Sequence, residues 1–314
     1  MLYDDLSVNE KGKLLFCGAD TTELCDRYST PLMLLDEDKI RSRARGYALA
    51  MKKYFTKNSA AYYASKALSV KAVYEMIGEE GMGADVVSVG EIYTALAAGF
   101  DLKKVCFHGN NKTSEAIRYA IGKGVGIIVV DNDRELDKVD EIAGELGVKQ
   151  KILLRLSPGI DPHTHAKIST GRVDSKFGTA IATGQAIELT KNALTLKNVE
   201  LLGFHSHIGS QIFEVDPFLT AAKIMIAFIA EVKRRFGFDT KVLNLGGGIG
   251  VRYVESDPEI DYDGFLRSLG EAVKDVCKKE KVKMPDVIVE PGRSIVADSG
   301  ITLYTTEGVK SITG

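Results

Sequence analysis

Lys66 follows directly on the apolar run 60–65, Ala-Ala-Tyr-Tyr-Ala-Ser. A strand of that composition carries the ammonium to the mouth of whatever sheet it joins, where desolvation lowers its pKa and frees the amine as a nucleophile. Lys66 is therefore a Schiff-base candidate. The bland alternative is a lysine whose stem snorkels to solvent or whose charge meets an acid. A second group is Gly246-Gly247-Gly248, whose backbone N–H groups can approach an anion without Cβ obstruction. Glu290-Pro291-Gly292-Arg293 adds a turn and a guanidinium that suit the same anion. Glu290 also ends the apolar run 287–290, and a carboxylate in such a place needs a cationic partner. A ligand with a phosphate, an aldehyde for Lys66 and a protonatable ring nitrogen for Glu290 would satisfy all three groups, and pyridoxal phosphate is such a ligand. Taken singly, each of the five histidines is an ordinary polar residue. His207, inside His205-Ser206-His207-Ile208-Gly209-Ser210, is the one placed to stack on a ring or move a proton.

These groups need a scaffold that brings strand ends together. Eight strand candidates (60–65, 84–89, 104–108, 126–131, 151–156, 201–207, 242–245 and 287–290) alternate with helical patterns at 69–79, 90–98, 114–121, 134–146, 186–194, 217–236 and 262–279. Eight βα units over about 250 residues predict an α/β chain forming a closed (β/α)8 TIM-type barrel. A doubly wound open sheet is the alternative, because periodicity does not reveal closure. In a barrel the C-terminal strand ends converge on one face, which gathers Lys66, Asp85, His108, Arg155, His207, Ser210, the glycines 246–248, Glu290 and Arg293. Segments 14–17 and 32–35 read as short strands before the first helix, and 294–309 alternates apolar and polar residues after the last barrel strand. We expect residues 1–36 and 292–314 to belong to a second, all-β module around a barrel of residues 37–291. The chain ends where another strand would be expected, which predicts C-terminal truncation. The long segment 157–183, rich in Gly, Thr, His and charge, has the composition of a functional loop.

Composition narrows the partner. Lys plus Arg number 41 against 43 Asp plus Glu, so no basic surplus exists to drive binding to nucleic acid or an anionic membrane. No apolar run approaches the length of a membrane span. The acidic start Met1-Leu2-Tyr3-Asp4-Asp5 is unlike an export signal, and the four cysteines form no C-x-x-C pair, so a reducing, cytoplasmic setting is expected. The expected partner is a small molecule or another protein chain.

The runs Tyr63-Ala64-Ser65-Lys66-Ala67, Asp85-Val86-Val87-Ser88, Phe107-His108-Gly109-Asn110, Lys176-Phe177-Gly178, His205-x-His207-Ile208-Gly209-Ser210-Gln211, Gly246–Gly248 and Glu290-Pro291-Gly292-Arg293 resemble those of the diaminopimelate decarboxylase family. Its members are fold-type III pyridoxal-phosphate enzymes, related to ornithine decarboxylase and alanine racemase. The resemblance covers nearly the whole chain. The loop His163-x-His165…Ser169-Thr170-Gly171 is also closer to the diaminopimelate branch than to the ornithine branch. It implies that Lys66 carries pyridoxal 5′-phosphate as a Schiff base, that His207 stacks on the ring, and that Glu290 pairs with the ring nitrogen. It further implies that Ser210, Gly246, Gly247, Gly248, Gly292 and Arg293 hold the phosphate or, through Arg293, the substrate's carboxylate end. Asp85 and Arg155 would support the ring, with His108 behind them. No metal is implied.

The implied reaction is decarboxylation of meso-2,6-diaminopimelate to L-lysine, the last step of lysine synthesis, by an enzyme that works as a homodimer. Alternatives are a decarboxylase of ornithine, arginine or carboxynorspermidine, a non-catalytic pyridoxal-phosphate-binding paralogue, or, without the resemblance, a Schiff-base aldolase using Lys66. Family members continue beyond this C-terminus through more of the β-domain, which carries further substrate-binding groups. The 314-residue chain is therefore expected to bind cofactor with weak or no turnover.

Overall fold

The computed structural model describes residues 4–160 and 176–312. The 163–171 motif and most of the expected functional loop lie outside the described residues. The chain opens with β1 (Leu6–Val8), β2 (Leu14–Phe16), β3 (Ala19–Asp20), α1 (Thr21–Tyr28), β4 (Leu32–Leu35) and α2 (Glu37–Tyr54). The alternating body follows as β5 (Ala60–Ala64), α3 (Lys71–Glu79), β6 (Gly83–Val86), α4 (Val89–Ala97), β7 (Val105–Phe107), α5 (Ser114–Gly122), β8 (Ile127–Val130), α6 (Asp133–Glu145) and β9 (Gln150–Ser157). It continues with β10 (Thr179–Ala180), α7 (Gln185–Thr195), β11 (Val199–His205), α8 (Asp216–Phe236), β12 (Val242–Asn244), α9 (Tyr262–Glu280) and β13 (Asp286–Val289), and ends in α10 (Arg293–Val296) and β14 (Gly300–Leu303).

The parallel order β5-β6-β7-β8-β9-β11-β12-β13 returns on itself, because β13 pairs with β5 through Ile288↔Ala60 and Val289↔Ala61. That pairing removes the open-sheet alternative and makes an eight-stranded barrel, with β10 added beside β9. The helices form the outer layer. α8 shows why: Pro217 sits in its first turn, Gly237 ends it in the left-handed region, and Phe218, Ala222, Met225, Ile226 and Ile229 share its buried face. Burying a side chain of the Phe or Ile class contributes about 1.5–3 kcal/mol relative to exposure. Among the described residues no helix is long and apolar enough to cross a membrane.

Inside the barrel the period-two alternation of strand side chains stacks two tiers. The lower tier is apolar: Cys106, Ile127, Val129, Leu153, Leu202 and Ile288, with Tyr62 and Val242 against it. Two residues further along five of the strands the same inward column turns polar, as His108, Asp131, Arg155, Asn244 and Glu290. β11 reaches the upper tier by a register shift between Leu201 and Gly203. The shift sends Phe204 outward to stack on Phe228 and turns His205, three residues after Leu202, toward Glu290. Gly203 permits it, since a Cβ there would lie 1.9 Å from the Val242 carbonyl oxygen.

Several sequence expectations change at the ends. The two N-terminal strands do not both precede the first helix: α1 lies between them, capped by Asp20, whose carboxylate accepts from the Thr22 and Glu23 N–H groups. Eight residues with a short apolar face give little periodicity to read. The 294–309 alternation is not one strand either. α10 docks on α2, with Tyr47 OH 2.8 Å from Ser294 Oγ and the Arg43 guanidinium donating to the Ser294 carbonyl, and only Gly300–Leu303 is extended. β14 pairs antiparallel with β4, Gly300↔Leu35 to Leu303↔Leu32, while β1, β2 and β3 make a separate three-stranded sheet. The expected strands 84–89 and 201–207 stop at Val86 and His205. Ser88 caps α4 and ends the first, which leaves His207 on the loop after the second.

The loop after β7 is fixed from below by Lys112. Its ammonium is buried and donates to the Gly109 carbonyl at 2.8 Å, the Val129 carbonyl at 2.8 Å and Glu135 Oε1 at 2.6 Å. Replacing one partner of a buried pair strands the other charge without water. Lys112→Met is expected to cost about 3–5 kcal/mol of stability, read as a lower urea midpoint. A midpoint equal to the parent's would show that the pair does not hold this loop.

Candidate active site

The C-terminal mouth of the barrel opens on a cavity of about 560 Å³. Asp85, His207 and Glu290 line it near the polar tier, and Lys66 stands at one side. Ser210, Gly247, Gly248, Gly292 and Arg293 form another wall, and Tyr253 reaches in beside them. Met33 and Leu35 of β4 with Ile301 and Thr302 of β14 make the rim. Of the residues singled out in sequence, His108, Arg155 and Gly246 are not on this surface. Arg155 is buried with its guanidinium 4.4 Å from the Phe177 ring centroid and Nε 4.0 Å from Asp131 Oδ1. Gly246 is committed to backbone pairing, its N–H donating to Asn244 Oδ1 at 2.9 Å and its carbonyl accepting from Glu290 N at 2.8 Å.

Lys66 is in a helical turn, Ser65–Ala67, two residues past the end of β5, and it is exposed. The expectation of a desolvated strand-end lysine is thus replaced by an amine on a turn at the open side of the cavity. Ser65 anchors the turn, its hydroxyl 2.8 Å from the Asp85 carbonyl oxygen and 3.0 Å from Glu91 Oε2. His207 is half-buried and its Nδ1 accepts the Gly247 N–H at 3.3 Å. Burial first, and then the positive charges of Lys66 and Arg155, hold this ring well below the usual histidine range, so it is neutral. Gly247 sits where any Cβ would lie 1.8 Å from the Glu290 carbonyl oxygen. Two of the three N–H groups in the glycine run are therefore used within the protein. Arg293 is held by hydroxyls, Nε donating to Ser210 Oγ at 3.2 Å and Nη1 to Tyr253 OH at 2.6 Å.

Glu290 is 5% exposed, and donors from three other strands or strand ends surround its carboxylate. Asn244 Nδ2 donates to Oε1 at 2.6 Å, His205 Nε2 is 3.3 Å from Oε2, and His108 Nε2 is 2.9 Å from Oε1. Burial opposes its charge, but His108, His205 and the hydrogen bonds outweigh that and hold Glu290 well below the ordinary carboxylate range. Asp85, 1% exposed, goes the other way, raised to about 6 chiefly by burial. Burial also pulls His205 down to about 3, so it faces Glu290 as a neutral ring. Asn244, His205 and the direct approach of His108 were not singled out in sequence as site groups. One signal was available: Val242→Asn244 repeats the inward step of Ile288→Glu290.

A buried anion, an open lysine and an arginine with a glycine wall, disposed around one barrel mouth, define the class: the family described as "Pyridoxal-dependent decarboxylase, pyridoxal binding domain" matches residues 37–297. The diaminopimelate decarboxylase of Bacillus methanolicus is 46% identical over 305 residues, covering 97% of this chain and 70% of that protein. That of Bacillus subtilis is 41% identical, over 98% of this chain and 70% of its own length. The solved structure of diaminopimelate decarboxylase from M. jannaschii superposes with a TM-score of 0.87 at 34% identity, over 98% of this chain and 71% of that one. The chain belongs to the diaminopimelate decarboxylase family of pyridoxal-dependent decarboxylases.

The donor set fits pyridoxal phosphate. Asp85 Oδ1, His108 Nε2 and His205 Nδ1 are buried without a well-formed hydrogen bond, beside an anion ready for a protonated ring nitrogen. Another wall offers the Arg293 guanidinium, which donates to the neutral Ser210 and Tyr253 hydroxyls.

Asp85 gives a signed pH dependence. Its folded-state pKa is raised, so relative to the unfolded chain its ionisation is disfavoured, and the penalty is present above about 6 and absent once the unfolded carboxyl is also protonated. Asp85→Asn is expected to stabilise the cofactor-free chain by about 2–3 kcal/mol at pH 8. The gain should shrink as pH falls through 6. Denaturant unfolding at pH 8 and pH 5 checks this; an equal gain at both would contradict it.

Proposed function

We propose that this chain binds pyridoxal 5′-phosphate at the barrel mouth and decarboxylates meso-2,6-diaminopimelate to L-lysine. The observation that carries the reading is the placement of Lys66, Glu290 and Arg293 around a single cavity. Lys66 Nζ would hold the aldehyde carbon covalently. Glu290 would keep a proton on the ring nitrogen, and His207, fixed by Gly247 N–H, would flank the ring. Arg293, Ser210, Gly248 and Gly292 would take the phosphate or the substrate's carboxylate end, while Asp85 and Arg155 support the floor. When bound, the cofactor supplies an electron sink for the pair released as the Cα–carboxylate bond breaks. The residues' own work is to orient that bond, to limit water at the floor and to fix the ring-nitrogen proton.

Support for the substrate comes from the relatives' names and from two of their structures. The M. jannaschii and Helicobacter pylori enzymes are each described in complex with L-lysine. We further propose that residues 1–36 and 292–314 form one β-module around the barrel 37–291, and that the functional enzyme is a cytoplasmic homodimer. The β4–β14 pairing and the four free cysteines support these readings. Among the described residues the cavity offers few groups for the distal end of a diamino diacid, so the 314-residue chain is expected to load cofactor and turn over weakly.

The test begins with a visible spectrum of the purified chain with added pyridoxal phosphate, followed by borohydride reduction and mass mapping. A chromophore band with the label on Lys66, lost in Lys66→Ala, is the expected result. A label scattered over surface lysines would sink the reading. Carbon dioxide release from meso-diaminopimelate should be far below the usual enzymatic range of about 1–1,000 per second, and a rate inside that range would refute the expectation of weak turnover.

A further inference from the structure

Two carboxylates share the floor of this cavity, and they are unequally served. Glu290 accepts from Asn244 at 2.6 Å and has His205 Nε2 at 3.3 Å, whereas Asp85 Oδ1 is buried with no hydrogen-bond partner among the described residues. His108 stands between them. Its Nε2 lies 2.9 Å from Glu290 Oε1 and 3.4 Å from Asp85 Oδ1, and its N–H is aligned squarely with neither. Its ring is held edge-on to His205, with centroids 4.8 Å apart, and its backbone N–H donates to the Val86 carbonyl at 2.8 Å. The loop that follows it is pinned by buried Lys112. The His108 imidazole is therefore a fixed bridge between two acids.

Resting on the pyridoxal-phosphate reading above, we propose that His108 is a positioning residue that bridges Asp85 and Glu290 and gives the first negative charge of this buried pair to Glu290, the carboxylate that meets the ring nitrogen. Two like charges this close in a water-poor floor cannot both be cheap. A donor shared toward Glu290, added to Asn244 and His205, lowers the cost of charge on that side alone. The opposite directions in which the two acids shift agree with the assignment. The other charged or titratable groups acting on this cluster include Glu91 of α4, Cys106 of β7, Asp131 after β8, Arg155 of β9, His205 of β11, His207 after it and Lys66 after β5. His108 lies within ion-pair reach of both acids, at 3.4 Å from Asp85 Oδ1 and 2.9 Å from Glu290 Oε1.

The consequence is a preference for a cofactor that has a ring nitrogen. The measurement is the ratio of dissociation constants for two probes, pyridoxal phosphate and its 1-deaza analogue, which replaces the ring nitrogen with CH. Absorbance titration of the 314-residue chain gives both. The parent chain should bind pyridoxal phosphate more tightly. In His108→Phe, which keeps a ring but loses its nitrogens, the ratio should fall by about tenfold, chiefly through weaker binding of pyridoxal phosphate. His108→Gln, which keeps an N–H near the Nε2 position, should restore most of it. If circular dichroism shows His108→Phe unfolded, His108→Asn, too short to reach Glu290, takes its place with the same expectation.

Equal weakening of both probes would mark His108 as merely structural and overturn the proposal, as would a glutamine variant that behaves like phenylalanine. A parent chain that binds both probes equally, or fails to label at Lys66, would bring down the site reading itself and the proposal with it.

Discussion

Glu290 has to remain charged where almost no water reaches it, and the architecture of the barrel mouth follows from that requirement. Stripping water from a carboxylate costs several kcal/mol unless other donors replace the lost hydration. Here the replacements arrive from separate strands: Asn244 ends β12, His205 ends β11 and His108 follows β7. The last is three strands away around the barrel by the β13-β5-β6-β7 path. Only a closed sheet brings such residues to one point. The β13–β5 pairing that shuts the barrel and the charge of Glu290 are in this sense one structural decision.

The same economy appears in the backbone. The loops after β11, β12 and β13 touch through their main chains, with the Ser206 N–H on the Asn244 carbonyl, the Ile212 N–H on the Gly248 carbonyl and the Glu290 N–H on the Gly246 carbonyl. The glycine run reads in sequence as open access for an anion. In the folded chain it is equally a device for letting three loops lie against one another, since Gly247 leaves no room for even a methyl group beside the Glu290 carbonyl. The anion wall is what remains on the outer side of that contact.

Much of this is legible in the sequence. Apolar β-branched runs alternating with amphipathic helices located all eight barrel strands, because both periods are enforced by burial on the two faces of each strand. Lys66 and Glu290 stand out because charged residues at the ends of apolar runs require partners, and Arg293 because its turn offers a guanidinium to the anion that the glycine run can admit. Closure was expected from the count of eight units and not from any local signal, because the Ile288↔Ala60 pairing joins strands over two hundred residues apart. The roles of His205 and Asn244 were hidden for a related reason. His205 points inward only because the register shifts at Gly203, and without that shift the inward place would fall to Phe204. α1 escaped because its capping residue, Asp20, also belongs to a strand.

The rim of the cavity has a property that concerns time. Met33 and Leu35 come from β4, Ile301 and Thr302 from β14, and the two strands are paired directly. The barrel lies between them in the chain. Closing a loop of that length is entropically unfavourable until the intervening barrel has drawn its ends together. The rim thus closes only as the barrel between its two strands folds, so its order depends on the very structure whose mouth it surrounds.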